Sequence, residues 1–508
     1  MININTNKVQ KQSIYGDAWN KYGYHLLFIL TIIVAILIRI VYLFPERIWA
    51  DEALYAWSGL RIYNNPSLIF SKEIIQFHPP LFPILLAIGH IFISPPELAC
   101  HVMAVFINIL GIIAIYILGI RIRSPFLGLF CAITLSFNFF YINNSTYILI
   151  DNPLVLFSIL LVLSLLKIST SNSRIHDIYV GLMGSVVILL KWSGVLVIPF
   201  VITFYLLGFP KLTFRDRLKK VLTPVLIMLT VCVLLLVNNF FQLGNILPDT
   251  SALKGVGEAE PLGYYITNFH NIIIIPYIIP FFIYGLYLIV KQKDRKGILL
   301  LTWFIIFLIG ISLTKEKVLR YGLFILPSSL LITGLGLENF LKKIFQTSPK
   351  IEIAKIFAIF CIFLFCWQLY PRTIKLLDMS IKYTYIGFKN AGYWLKKNYP
   401  KDALIMAESK RAIRYYSEIN YKEFGGAIVA PPKTKIEFEE TISKLESPVI
   451  LVVDRWEATQ PAWIHPFSEK KKKYLEDLGF QLRTTIKGKL FISKKQQKSL
   501  PVVWIFER

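Results

Sequence analysis

The chain predicts an α-helical polytopic membrane protein of about eleven spanning helices, with a C-terminal extracytoplasmic α/β domain. Two observations carry this. Of its 508 residues, 55% are hydrophobic and 15% aromatic, and the apolar residues fall in repeated unbroken runs. Runs of about 17–25 residues are the length that crosses a bilayer as helix. After residue 370 such runs stop, charge rises, and short β-branched stretches, "ALIMA" (403–407) and "VILVVD" (449–454), alternate with amphipathic ones at 435–445 and 468–478. That alternation belongs to a small α/β unit. Residues 1–370 are therefore read as the transmembrane domain and 371–508 as the extracytoplasmic domain.

The expected spans are 24–44, 98–120, 124–142, 152–168, 177–191, 194–209, 221–241, 270–290, 298–314, 320–338 and 353–370. The first run follows Lys8, Lys11 and Lys21. It is too long for a signal-peptide core and lacks a small-residue cleavage pattern, so it reads as an uncleaved helix. With the N-terminus inside, the inner loops hold Arg121 and Arg123, Lys167 and Arg174, "KLTFRDRLKK", "KQKDRKG", and Lys342, Lys343 and Lys350. All are basic, as cytoplasmic loops are. "HPPLFPILLAIGHIFIS" (78–94) is apolar, but a crossing there would invert every later loop. It reads as a juxtamembrane or re-entrant helix on the outer face.

The net charge is +24, from 55 Lys and Arg against 31 Asp and Glu. Those cations cluster in short loops beside apolar runs, where topology and anionic headgroups account for them. Membrane lipids, not nucleic acid, are the expected polyanionic partner. The five cysteines all lie in apolar runs and form neither a disulfide framework nor a metal site. No 20–50-residue repeat is present. "GVGEAE" (255–260) and "GLGLEN" (334–339) read as loop and helix packing, and "NNST" supplies sequons at Asn143 and Asn144.

"RIWADEALYAWSGL" (47–60) places Asp51 and Glu52 just past the first span. Asp151, in "NNSTYILIDNPLVLF", stands at the outer end of the fourth. Cations share that depth: His78 in "FHPPL", Lys191 in "LLKWSGV", and Lys315, Lys317 and Arg320, followed by Tyr321. Each has an ordinary explanation: a solvated loop acid, a helix N-cap at Asp151, snorkelling interface cations. Arg39 in "AILIRIVYLF" is placed to snorkel, or to pair with Asp51 or a phosphate. Together, acids and cations meeting at one membrane face point to a site that handles a charged lipid headgroup.

The order "LIRIVYLF", "ADEALYA", "HPPLFPILLA", "ILIDNPLVLF" and "LRYGLFILP" resembles the GT-C class of membrane glycosyltransferases, over roughly residues 24–340. The branch with protein O-mannosyltransferases and the lipid A aminoarabinose transferase is the most similar. The resemblance implies transfer of one sugar from a polyprenyl-phosphate carrier to a glycan, lipid or protein acceptor on the extracytoplasmic face of the cell membrane, usually with inversion. An attacking hydroxyl needs a carboxylate base, and the departing phosphate needs cationic and hydroxyl donors. By the family motifs Asp51 is the candidate base, Glu52 its neighbour, and Asp151 orients acceptor or sugar. His78, Arg320 and Tyr321 would hold the phosphate, with Lys191, Lys315 and Lys317 as further cations. Some relatives carry Lys where this chain has His78, and a neutral His makes a weaker clamp.

No metal-ligand pattern occurs, so no cofactor is expected; a divalent ion would have to use Asp51, Glu52 and Asp151. The rival classes are a transporter or flippase of lipid-linked sugars, a structural subunit, and a transferase of whole oligosaccharides. Transporters show internal repeats and midplane charge, and this chain shows neither. The sugar, carrier and acceptor are not written in the sequence.

Overall fold

The computed structural model describes residues 6–43, 48, 50–168, 174–210, 212–246, 260–273, 278–314, 317–345, 371, 373–375, 387–445, 448–456, 460–493 and 496–508. The span expected at 353–370, most of "GVGEAE", and Lys315 lie outside them.

The N-terminal two thirds is helical. Among the described residues, four helices are long and apolar enough to cross a membrane: Tyr22–Val41 within Thr6–Val41, Pro96–Ile122, Phe214–Leu243 and Arg295–Ser312. Their outer faces are apolar: Leu26, Ile29, Leu30, Ile33 and Leu37 on the first, and Leu222, Leu226, Val233 and Leu234 on the third, are exposed. Water would not tolerate such stripes, whereas lipid requires them. The helix starts follow from their caps. Thr213 accepts from the Asp216 amide and Asp294 from the Gly297 amide, each satisfying an otherwise orphan donor.

The span expected as one run over 124–142 is two helices, Pro125–Ser136 and Phe139–Thr146, bent by 57°. Asn138 makes the break: its side chain accepts from the Tyr141 amide at 3.1 Å and donates to the Ile272 carbonyl at 2.9 Å. The adjacent Ser136 carbonyl is taken by Arg39, which is fully buried and also binds Asn108 and the Ala35 carbonyl. Arg39 thus neither snorkels nor reaches Asp51. It ties the first helix to the bend.

Between the first and second long helices the chain folds back as two short helices, Ala50–Asn64 and Leu81–Phe92, joined through the 3₁₀ turn Pro66–Leu68 and the four-residue helix Lys72–Ile75. At 12 residues the second spans ~18 Å, short of a ~30 Å hydrocarbon core, in keeping with a segment that does not cross. The two pack closely because Gly59 has no side chain: a Cβ there would lie 2.8 Å from Leu86 Cβ.

The C-terminal residues form a five-stranded sheet in the order β2-β1-β3-β5-β4, with β1 Leu404–Ala407, β2 Ile428–Val429, β3 Val449–Asp454, β4 Gln481–Ser493 and β5 Gln496–Glu507. β1 runs parallel to β2 and β3, and β5 is antiparallel to β3 and β4. β3, "VILVVD", is buried throughout, as a central strand without alternation must be. The expected amphipathic segments are the helices Lys435–Ser443, opened by a Thr434–Glu437 capping box, and Glu469–Asp477. The antiparallel β4–β5 pair is not among the elements the sequence predicts.

The sheet unit is fastened to the first turn of Pro96–Ile122 and to the short helices that precede it. Glu97 accepts from Tyr416 Oη at 2.8 Å and Lys389 Nζ at 2.9 Å. Buried Glu73 accepts from Trp57 Nε1 and from Asn420, while Arg414 lies over the Trp57 ring. This attachment sets the helix Lys410–Ser417 against Ala50–Asn64 and above the acidic pair.

Candidate active site

Asp51 and Glu52 occupy the first turn of Ala50–Asn64. Adjacent residues on a helix point about 100° apart, so the two carboxylates part company. Glu52 turns inward, is fully buried, and accepts from the Ile148 amide at 2.9 Å. It braces the segment leading into Asp151 rather than facing the cleft. Glu52→Ala should therefore destabilise the fold by about 1–3 kcal/mol, the cost of an orphaned buried donor. Glu52→Gln, which keeps an acceptor, should lose less. Thermal unfolding of the purified variants measures this.

Asp51 turns outward, and its side chain remains 29% exposed. One oxygen accepts from Arg320 Nη2 at 3.0 Å and the other from Arg411 Nη1, also at 3.0 Å. Arg320 belongs to a 3₁₀ turn, Leu319–Phe324, that precedes the helix Leu326–Phe345. Its Nε lies 3.9 Å from Asp151 Oδ2, so one guanidinium stands between two acids that lie far apart in sequence. Asp151 opens the helix Asp151–Ile168 and directs its carboxylate at Lys191, whose Nζ donates to Oδ1 at 2.8 Å. Lys191 sits where the helix Arg174–Leu190 gives way to the turn Trp192–Leu196. Its ammonium also lies over the Tyr321 ring, 4.3 Å from the centroid.

Tyr55, on the buried side of the same short helix as Asp51, stacks on His78 with centroids 5.7 Å apart. Burial pushes the Asp51 carboxyl up, but Arg320 and Arg411 outweigh it and hold it below the usual carboxylate range. For His78, burial and then the Lys191 charge lower the imidazole more than Asp51 and Asp151 raise it. His78 is therefore neutral at pH 7, and its buried Nδ1 has no hydrogen-bond partner among the described residues. It is an uncharged donor or acceptor beside the cleft rather than a cationic clamp.

Of the residues singled out in the sequence, Asp51, Asp151, Lys191, Arg320, Tyr321 and His78 converge. Glu52 adjoins them in a bracing position. Lys317 does not join: its Nζ donates to the Glu260 and Thr314 carbonyls. Arg411 is an addition, and its guanidinium also lies over the Phe77 ring at 4.8 Å. Nothing in "ESKRAIRYY" marks it, because its partner lies 360 residues away. Chemically, the cluster offers an ionised, oriented carboxylate with guanidinium and ammonium groups around it.

Residues 77–237, less than half of the chain, match the family model described as dolichyl-phosphate-mannose-protein mannosyltransferase. No curated protein matches the chain. Among solved structures, the fold is similar to that of ArnT from Cupriavidus metallidurans, apo, at 13% identity and TM-score 0.62, over 96% of this chain and 98% of that one. The same protein bound to undecaprenyl phosphate gives 14% and 0.61, over 95% and 98%. The archaeal oligosaccharyltransferase AglB from Archaeoglobus fulgidus, in complex with an inhibitory peptide and a dolichol-phosphate, gives 13% and 0.60, over 85% and 70%. At these identities the likeness is one of fold, and the resemblance to the GT-C class read from the sequence holds at that level.

Proposed function

We propose, from a GT-C fold in which Asp51 and Asp151 share one guanidinium, that this chain is a glycosyltransferase. It moves a single hexosyl or pentosyl unit from a polyprenyl-phosphate carrier to a glycan, lipid or protein acceptor. The observation that carries this is Arg320 standing between Asp51 and Asp151: a base and a phosphate-binding cation meet within one cleft.

In the reaction, the acceptor oxygen bonds to the anomeric carbon as the bond from that carbon to the phosphate oxygen breaks. The electron pair leaves with the polyprenyl phosphate, and the acceptor proton passes to Asp51. This single displacement inverts the anomeric centre. Asp51 is suited to the step because its cations keep it ionised, and each carboxylate oxygen retains a second lone-pair direction for the hydroxyl. Arg320 and Lys191, with Tyr321 beside them, stabilise charge gathering on the departing phosphate. Asp151 holds both cations in place. Incubating membranes with radiolabelled undecaprenyl- and dolichyl-phosphate sugars tests this, and the labelled fraction identifies the acceptor. Label remaining wholly in the donor would count against it.

The site lies, in this proposal, on the extracytoplasmic face, with about eleven crossings in 1–370 and with 371–508 as an outer α/β domain. The basic loops support that orientation. Exposed positions test it: cysteines replacing Arg121 and Lys293 should resist an impermeant thiol reagent in intact cells, while one replacing Lys422 should label. Labelling at 121 would reverse the assignment.

We further propose that no divalent ion takes part. Asp51 and Asp151 already carry Arg320, Arg411 and Lys191 as counter-charges, and a monophosphate leaving group is served by such cations. Transfer should survive exhaustive chelation with EDTA, and loss restored by added Mg²⁺ or Mn²⁺ would refute this.

A further inference from the structure

Asp51 is held from two distant parts of the chain. Arg320, on one oxygen, belongs to the helical N-terminal part; Arg411, on the other, comes from the C-terminal unit. Arg411 is firmly seated. Its guanidinium lies over the Phe77 ring, and its helix, Lys410–Ser417, is fixed one turn further on by Arg414. Arg414 is buried and lies over the rings of Trp57, 5.0 Å from the centroid, and Tyr421, 4.0 Å. Residues three apart share a helix face. That face therefore meets the helix Ala50–Asn64 twice, at Asp51 through Arg411 and at Trp57 through Arg414.

The two arginines differ in what else they reach. Arg320 also stands 3.9 Å from Asp151 and faces the phosphate in the reading above. Arg411 has Asp51 as its one ion-pair partner among the described residues. A carboxylate held at one oxygen can still swing about its soft terminal torsion. Held at both, it aims its remaining lone pairs in a fixed direction, as an oriented proton transfer requires. We propose that Arg411 is a positioning residue, through which the C-terminal unit fixes the Asp51 carboxylate toward the acceptor hydroxyl. This rests on the transferase reading and gives the C-terminal unit a part in the reaction itself.

The charge of Arg411 has a measurable consequence. Asp51 faces Arg320, Arg411, neutral His78 and Tyr55, which burial keeps protonated. Asp151 and Lys191 stand beyond Arg320 as an ion pair, and Lys410 flanks Arg411. Arg320 and Arg411 are thus the cations that hold the Asp51 carboxyl down. Without Arg411 it should rise, and the acid limb of transfer should move to higher pH.

Steady-state kinetics of the full-length protein in lipid nanodiscs, run across pH, tests this. The donor is whichever undecaprenyl-phosphate hexose or pentose the wild type uses, and the acceptor is a membrane extract. Arg411→Gln should lower kcat by about 10- to 10²-fold, the cost of a misplaced catalytic group, with donor KM within about twofold of wild type. Its acid limb should lie at higher pH. Arg411→Lys, which restores the charge, should return the limb and recover much of kcat. Wild-type kcat and an unmoved limb in Arg411→Gln would overturn the proposal. So would a loss carried by donor or acceptor KM with kcat intact, which would make Arg411 a substrate contact. Equal loss of kcat in both variants with the limb unmoved, or loss of folded protein in both, would make it structural and overturn the proposal too. Transfer absent already in the wild type would overturn the transferase reading, whereas failure of this inference alone shows only in the variants.

Discussion

Asp51→Asn should lower transfer by about 10²–10⁴-fold, the usual scale of general-base catalysis, while donor binding and protein yield stay near wild type. The substitution keeps the size of the side chain and one acceptor oxygen for Arg320 or Arg411, so the cluster should remain assembled. What it removes is the capacity to take a proton. Single-turnover kinetics on purified protein measures the loss. Wild-type turnover in Asp51→Asn would take this residue out of the chemistry.

Arg320→Ala should also lower transfer, by a different route. It deletes the hydrogen bond to Asp51 at 3.0 Å and the charge 3.9 Å from Asp151, leaving Asp51 with Arg411 and Asp151 with Lys191 as ion-pair partners among the described residues. Hydrogen bonds to charged groups contribute about 1.5–3 kcal/mol, so turnover should fall at least about tenfold, with donor affinity falling too. The Asp51 carboxyl should also rise, because a cation that holds it down is gone. Its acid limb in a pH–rate profile should then move to higher pH, transfer being lost earlier as pH falls. Arg320→Lys should rescue only in part, because an ammonium cannot offer the planar fork that serves two partners at once. Unchanged kcat and donor KM in Arg320→Ala would reduce this group to an ordinary interface cation.

The sequence made the helices legible because lipid imposes length and polarity on each span separately. It was silent where one element answers to another. The run over 124–142 reads as a single span by hydropathy, and only the Asn138 contacts with Tyr141 and Ile272 show why it bends. Arg39 looks like a snorkelling cation until Asn108 and the Ser136 carbonyl are seen around it. The pair Asp51–Glu52 shows the same limit. Composition cannot say which acid faces the cleft, whereas helix geometry sends one to the Ile148 amide and the other to Arg320 and Arg411. Asp151, Arg320 and Tyr321 are legible through their motifs and shared depth. Arg411 is not, since no motif contains it, and its position depends on how the C-terminal unit docks through Glu97 and Glu73.

A polyprenyl-phosphate sugar labelled with ³H in the sugar and ³²P in the phosphate tests the central claim most directly. The purified protein would be reconstituted in vesicles with extracted membrane acceptors. Glycosyl transfer predicts that the labels separate, with ³H entering the acceptor fraction and ³²P staying with the carrier, and that Asp51→Asn abolishes the separation. Labels that cross the bilayer together and remain joined in wild-type protein would instead show a carrier of lipid-linked sugar and contradict the account.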